Sequence, residues 1–107
     1  MTRYAYPEGA FEVDTIPAQP QIAHCHGFFV TAKNRGKGNA HVLKKRQMNL
    51  LASEHYDYAT ATVDGSNAAQ KKVLTKAGFR CLDTFINRKT CGVTELWGRS
   101  ISTIQDK

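Results

Sequence analysis

The feature that most constrains this chain is a change of residue period at two glycines. Residues 22–30 (Ile-Ala-His-Cys-His-Gly-Phe-Phe-Val) read as a buried strand. Residues 32–37 are polar and cationic, and Gly36 and Gly38 mark them as a loop. From Gly38 on, Ala40, Leu43, Gln47, Leu50 and Leu51 recur at helical spacing, with Lys44, Lys45 and Arg46 mostly turned away. A helix over about 38–54 follows. A buried strand that feeds a glycine loop and then a helix restricts the chain to folds with a helix packed back on a sheet.

The remaining segments extend that pattern. Residues 4–9 end in the turn signal Pro7-Glu8-Gly9, and residues 10–16 alternate as a half-buried strand that Pro17 and Pro20 close. Residues 57–63 alternate again. Asp64-Gly65-Ser66-Asn67 is a turn that caps a helix over 67–77, and Gly78 ends that helix in a left-handed conformation. Residues 79–87 and 93–101 read as strands, and residues 102–107 as a frayed tail. The expected order is β-β-α-β-α-β-β, an α/β (α+β) mixed sheet with parallel pairing in its middle and two helices packed on it.

With 107 residues, of which 41% are hydrophobic, the chain supports one core and one domain. No apolar run is long enough for a membrane span or a secretory signal, so a cytosolic protein is expected. The cysteines, Cys25, Cys81 and Cys91, are odd in number and widely spaced. They suit reduced thiols rather than a disulfide framework or a zinc site. The net charge is +6, and six cations lie between Lys33 and Arg46 with no carboxylate among them. That local excess implies an anionic partner. Nucleic acid fits poorly, because no nucleic-acid motif is present and no aromatics interleave with the cations.

The glycine loop has a physical use. A helix N-terminus offers unpaired N–H groups and about half a positive charge. Glycines let a bulky anion reach that backbone. Two phosphate loops are excluded: no GxxxxGK[ST] occurs, and GxGxxG fails at His41.

Residues 30–40, Val-Thr-Ala-Lys-Asn-Arg-Gly-Lys-Gly-Asn-Ala, resemble the acetyl-CoA loop of the GCN5-related N-acetyltransferases (the GNAT family). Arg35, Gly38 and Ala40 fill that family's [Q/R]-x-x-G-x-[G/A] signature. Ala32 stands where proline is frequent and Asn39 where an apolar residue is frequent. A second block, residues 67–79, resembles the family's next helix with its Asn and its Lys-x-Gly-Phe ending, here Asn67 and Lys76-Ala77-Gly78-Phe79. The resemblance covers about residues 22–101, with residues 1–21 as an N-terminal strand and turn region. In its brevity the chain resembles small phage-type members, as a single N-terminally reduced domain. The resemblance implies acetyl transfer from acetyl-CoA to an amine, with a protein as one possible acceptor. Backbone amides of Arg35, Gly36, Lys37, Gly38, Asn39 and Ala40 are then expected to hold the diphosphate, Val30 to pair with the pantetheine arm, and Asn67 to touch the cosubstrate.

Catalysis needs a base for the amine and a proton for the leaving thiolate. His24, eleven residues before Arg35, stands where some family members carry a glutamate, and an imidazole suits that task. His26 shares its face and Cys25 the opposite one. A metal held by the two histidines is not expected, since no third ligand is evident. The family's tyrosine acid falls at Leu74, which carries no proton; Tyr58 is the substitute candidate. A catalytically inactive interaction protein on the same scaffold is the alternative. The absent N-terminal helices of the family leave sheet uncovered, so a homodimer or a partner surface is expected to fill the gap.

Overall fold

The computed structural model describes residues 1–101; the expected tail over 102–107 lies outside the described residues. The strands are β1 (Thr2–Tyr6), β2 (Gly9–Ile16), β3 (Gln19–Val30), β4 (Tyr58–Asp64), β5 (Arg80–Ile86) and β6 (Val93–Ser100). The helices are α1 (Asn39–Ser53) and α2 (Ala68–Lys76), and one 3-10 turn covers Ala32–Asn34. One six-stranded sheet forms, in the order β1-β2-β3-β4-β6-β5. Only β3 and β4 pair in parallel; every other neighbour is antiparallel. This is a minimal mixed α+β fold, as the residue periods imply.

Both helices lie on one face. Phe11, Val13, Ala23, Cys25, Ala59, Ala61, Val63 and Trp97 project from alternate strand positions and pack against Leu43, Met48 and Leu51 of α1 and Leu74 of α2. Glu12, Asp14, His24, His26 and Thr60 alternate with them on the other face, which no helix covers among the described residues.

Three details depart from the sequence reading. Residues 4–6 belong to an additional strand, β1, whose Tyr4 and Tyr6 rings lie 5.5 and 5.8 Å from the Phe11 ring. Their alternation carried that signal. Pro20 does not close a strand but sits inside β3, ahead of the first parallel rung at Ile22↔Tyr58, where no β4 partner needs its missing N–H. The third departure concerns Lys44. It does not turn away with Lys45 and Arg46 but is buried, with 2% of its surface exposed. Its position, one residue after Leu43 and three before Gln47, lies on the core stripe of α1, and two aromatic rings receive it.

Parallel pairing ends early. The rungs run Ile22↔Tyr58, Ala23↔Ala59, His24↔Thr60 and Cys25↔Ala61, and none follows, although β3 continues to Val30 and β4 to Asp64. Gly27 takes φ +62°, beside a register shift in the β2–β3 pairing. A side chain there would push the Glu12 carboxylate aside and would be strained by the positive φ, which favours glycine. Beyond the bulge Phe28 and Val30 turn toward the core side and Phe29 becomes exposed. The bulge bends β3 away from β4 and opens a split whose apex is the Cys25–Ala61 rung.

Candidate active site

The split leads into the glycine loop. Gly36 and Gly38 adopt φ of +76° and +77°, and nothing lies within 4 Å of where a Cβ would sit on either. Gly38 is also the N-cap of α1 and supplies no side-chain cap. The amides from Gly36 to Ala40 find no backbone carbonyl partner among the described residues. The loop's own side chains hold its shape: Arg35 Nε donates to Val30 O at 3.0 Å, Asn39 Nδ2 to Asn34 O at 2.9 Å, and Asn34 Nδ2 to Thr31 Oγ1 at 2.6 Å. The result is a concave run of free donors at a positive helix end.

A groove of about 480 Å³ lies between this loop and α2. Val30, Arg35, Gly36, Gly38, Asn39 and Ala40 line it from one side, and Ala68, Ala69, Lys72 and Val73 from the other. The loop residues expected to bind an anion are thus brought together, with Lys37 outside the groove wall. Asn67 lies outside the groove lining; its Oδ1 accepts from Gln70 N at 3.0 Å and caps α2. Lys72 on the α2 wall is a cation that the motif reading did not single out, although its spacing after the Asn67 cap places it on the second turn of that helix.

His24 stands one rung before the apex, on the helix-free face. Its Nδ1 lies 2.9 Å from Thr60 Oγ1, and its ring stacks at 5.9 Å on His26. Burial holds the His24 pKa below the ordinary imidazole value; the neighbouring His26 adds to this and the Asp14 carboxylate opposes it. His26 Nε2 meets Asp14 Oδ2 at 2.7 Å and its Nδ1 meets Glu12 Oε1 at 3.5 Å. Asp14 also binds the N-terminal ammonium at 3.1 Å, which, with the His26 hydrogen bond, holds its carboxyl below the usual range. Among the described residues no cluster of three or more His, Cys, Asp or Glu is arranged for a metal ion.

Tyr58 begins β4 on the same face as His24, with its ring over Gly98; a Cβ on Gly98 would meet the Tyr58 hydroxyl at 2.8 Å. Leu74 is completely buried on the other face. Sequence reasoning missed the polar group nearest the apex on that side. Lys44 Nζ lies 4.2 Å from the Phe28 ring centroid and 5.6 Å from that of Phe79, and donates to Gln47 Oε1 at 2.6 Å. Only its place on the apolar stripe could have pointed to it.

Comparison with protein-family models and with curated protein sequences finds no match. Comparison with solved structures finds many. The chain superposes on the IAA acetyltransferase from Bacillus cereus ATCC 14579 with a TM-score of 0.76 at 14% identity, covering 86% of this chain and 69% of that one. For the ribosomal-protein-S18-alanine N-acetyltransferase from Escherichia coli the TM-score is 0.74 at 13% identity, over 94% and 65% of the two chains. For an acetyltransferase of the GNAT family from Desulfovibrio desulfuricans it is 0.78 at 13%, over 88% and 61%. The chain therefore spans about two thirds of the length of these neighbours. By these superpositions the chain has the fold of the GNAT N-acetyltransferases.

Proposed function

We propose that this protein is an acetyl-CoA-dependent N-acetyltransferase acting on an amine, with a protein amine among the acceptors it could take. The observation that carries the reading is the set of free amides from Gly36 to Ala40, opening on the groove that continues the β3–β4 split. The residues present fit the cosubstrate. Free N–H groups, the α1 N-terminus, Arg35 and Lys72 suit a diphosphate. The β4-side edge of β3 at Val30, which β4 does not pair, suits an extended amide-bearing arm, which can hydrogen-bond there as a further strand does. Asn67 caps α2 with its oxygen and keeps its Nδ2 for the cosubstrate.

Acetyl-CoA supplies an acyl group already activated as a thioester. His24 supplies the base: lowered in pKa, it is neutral at physiological pH, and Thr60 fixes its Nδ1. Its Nε2 is then free to take a proton from an amine arriving over the helix-free face. Tyr58, on that same face, serves there as an acceptor-side hydroxyl. A cytosolic setting and pairing of two copies belong to the same proposal; sedimentation over a range of concentrations tests the pairing. No helix among the described residues is long and apolar enough to cross a membrane.

Calorimetry with acetyl-CoA tests the reading. Micromolar binding that is lost in Gly38→Glu supports it, and absence of binding by the wild-type chain rejects it. Release of free thiol with polyamine, aminoglycoside or peptide acceptors then separates an enzyme from an inactive binder.

A further inference from the structure

Lys44 is a buried cation without a counter-ion. No carboxylate pairs with it among the described residues, and its one hydrogen-bond acceptor is the amide oxygen of Gln47. Lysine can only donate, so Gln47 must turn its oxygen to it. That leaves Gln47 Nε2, itself completely buried, with no partner. An isolated buried charge and an orphaned buried donor are both costly, and an apolar pair would fill the same space more stably. Such an arrangement fits a site where negative charge appears during function.

Its position says where. Cys25, on the core face that α1 covers, forms the last rung before β3 and β4 part. Phe28, whose ring lies over the ammonium, is the first core-side residue past the bulge. Lys44 thus lies under the apex of the split, on the helix side, while His24 stands one rung away on the opposite face. His41, Lys45 and Lys76 line the cleft of about 320 Å³ that Lys44 shares between α1 and α2, together with Arg99, which donates to Ala77 O at 2.8 Å. Among the described residues no carboxylate lines that cleft.

We infer that the Lys44 ammonium stabilises the negative charge on the departing sulfur of the acyl donor, a charge that Leu74 cannot meet. The inference rests on the function proposed above. The acceptor nitrogen bonds to the acyl carbon, and the carbon–sulfur bond breaks with its electron pair on sulfur, which faces the Lys44 ammonium as a thiolate. His24 takes the proton shed by the nitrogen. The thiolate takes a proton from water as it leaves, and His24 returns one to that water. Burial lowers the Lys44 pKa to about 8, against a partial opposing effect of Cys25.

The test needs no acceptor. Free CoA is bound to the protein and its thiolate is followed by ultraviolet absorbance across pH. The expected result is about tenfold more thiolate on the wild-type protein than in solution at the same pH, since a fixed cation favours the anion. Lys44→Met, checked for folding by circular dichroism, should return the thiol to its solution behaviour. Lys44→Gln replaces it if Lys44→Met does not fold. CoA that binds with an unshifted thiol in the wild type, or with the same shift in the variant, overturns the Lys44 role and leaves the proposed function standing. Failure of the wild type to bind CoA at all overturns both.

Discussion

His24 and Thr60 are register partners across the one parallel strand pair, and their side chains meet at 2.9 Å between Nδ1 and Oγ1. A parallel ladder places the two side chains on the same face, and the hydroxyl occupies Nδ1, so that Nε2 accepts a proton when Nδ1 carries the hydrogen of this bond. His24→Ala is expected to lower turnover about 100-fold or more, in the range typical of a lost general base, with acetyl-CoA affinity unchanged. Unchanged turnover with any productive acceptor removes His24 from that role. Thr60→Val should give a smaller loss, because the ring remains and only its anchor goes.

The lowered pKa of His24 also has a stability consequence. The unfolded chain binds the proton more readily than the folded one, so stability is complete above the ordinary imidazole value of about 6.5. It declines as pH falls through that value toward the lower folded one. Urea unfolding at several pH values between about 5 and 7 should show this decline in the wild type. The decline should flatten in His24→Gln; the same slope in both proteins would assign it to other groups.

The buried pair of α1 trades stability for position. Lys44→Met with Gln47→Leu removes an uncompensated charge and an orphaned amide from a closed core. The double variant should therefore be more stable than the wild type by about 1–4 kcal/mol, read from its denaturation midpoint. A less stable double variant would mean that the pair is a structural support.

Leu74 holds the place of an acid only in sequence alignment. It is completely buried against the sheet, and Leu74→Ala should cost about 2–5 kcal/mol. Leu74→Tyr overpacks the same space and should cost about 1–3 kcal/mol, so a stable, more active Leu74→Tyr protein would contradict this packing.

Asn67 separates two roles by chemistry. Asn67→Asp keeps an oxygen for Gln70 N and should hold stability, whereas Asn67→Ala should lose about 1 kcal/mol. If the amide nitrogen also touches the cosubstrate, Asn67→Asp weakens acetyl-CoA binding at unchanged stability. Equal affinity in Asn67→Asp and wild type leaves Asn67 as a cap alone.

Local pattern determined a good deal here. Alternation marked β2 and β4, residues 79–87 and 93–101 read as the strands that became β5 and β6, helical spacing marked α1 and α2, and glycines placed the loop and the end of α2, where Gly78 has φ +89°. These signals are local because strand and helix each repeat over a few residues, and because only glycine enters a left-handed conformation without strain. The split between β3 and β4 was decided in three dimensions: the bulge at Gly27 is defined by its partner strand, and no period within residues 22–30 reveals it. The burial of Lys44 was settled the same way. Along α1 it is one of three successive cations, and only the rings of Phe28 and Phe79, brought from β3 and from the end of α2, make its position an interior one. Sequence fixes what each segment can be; which charge ends up under the apex depends on contacts between residues far apart in the chain.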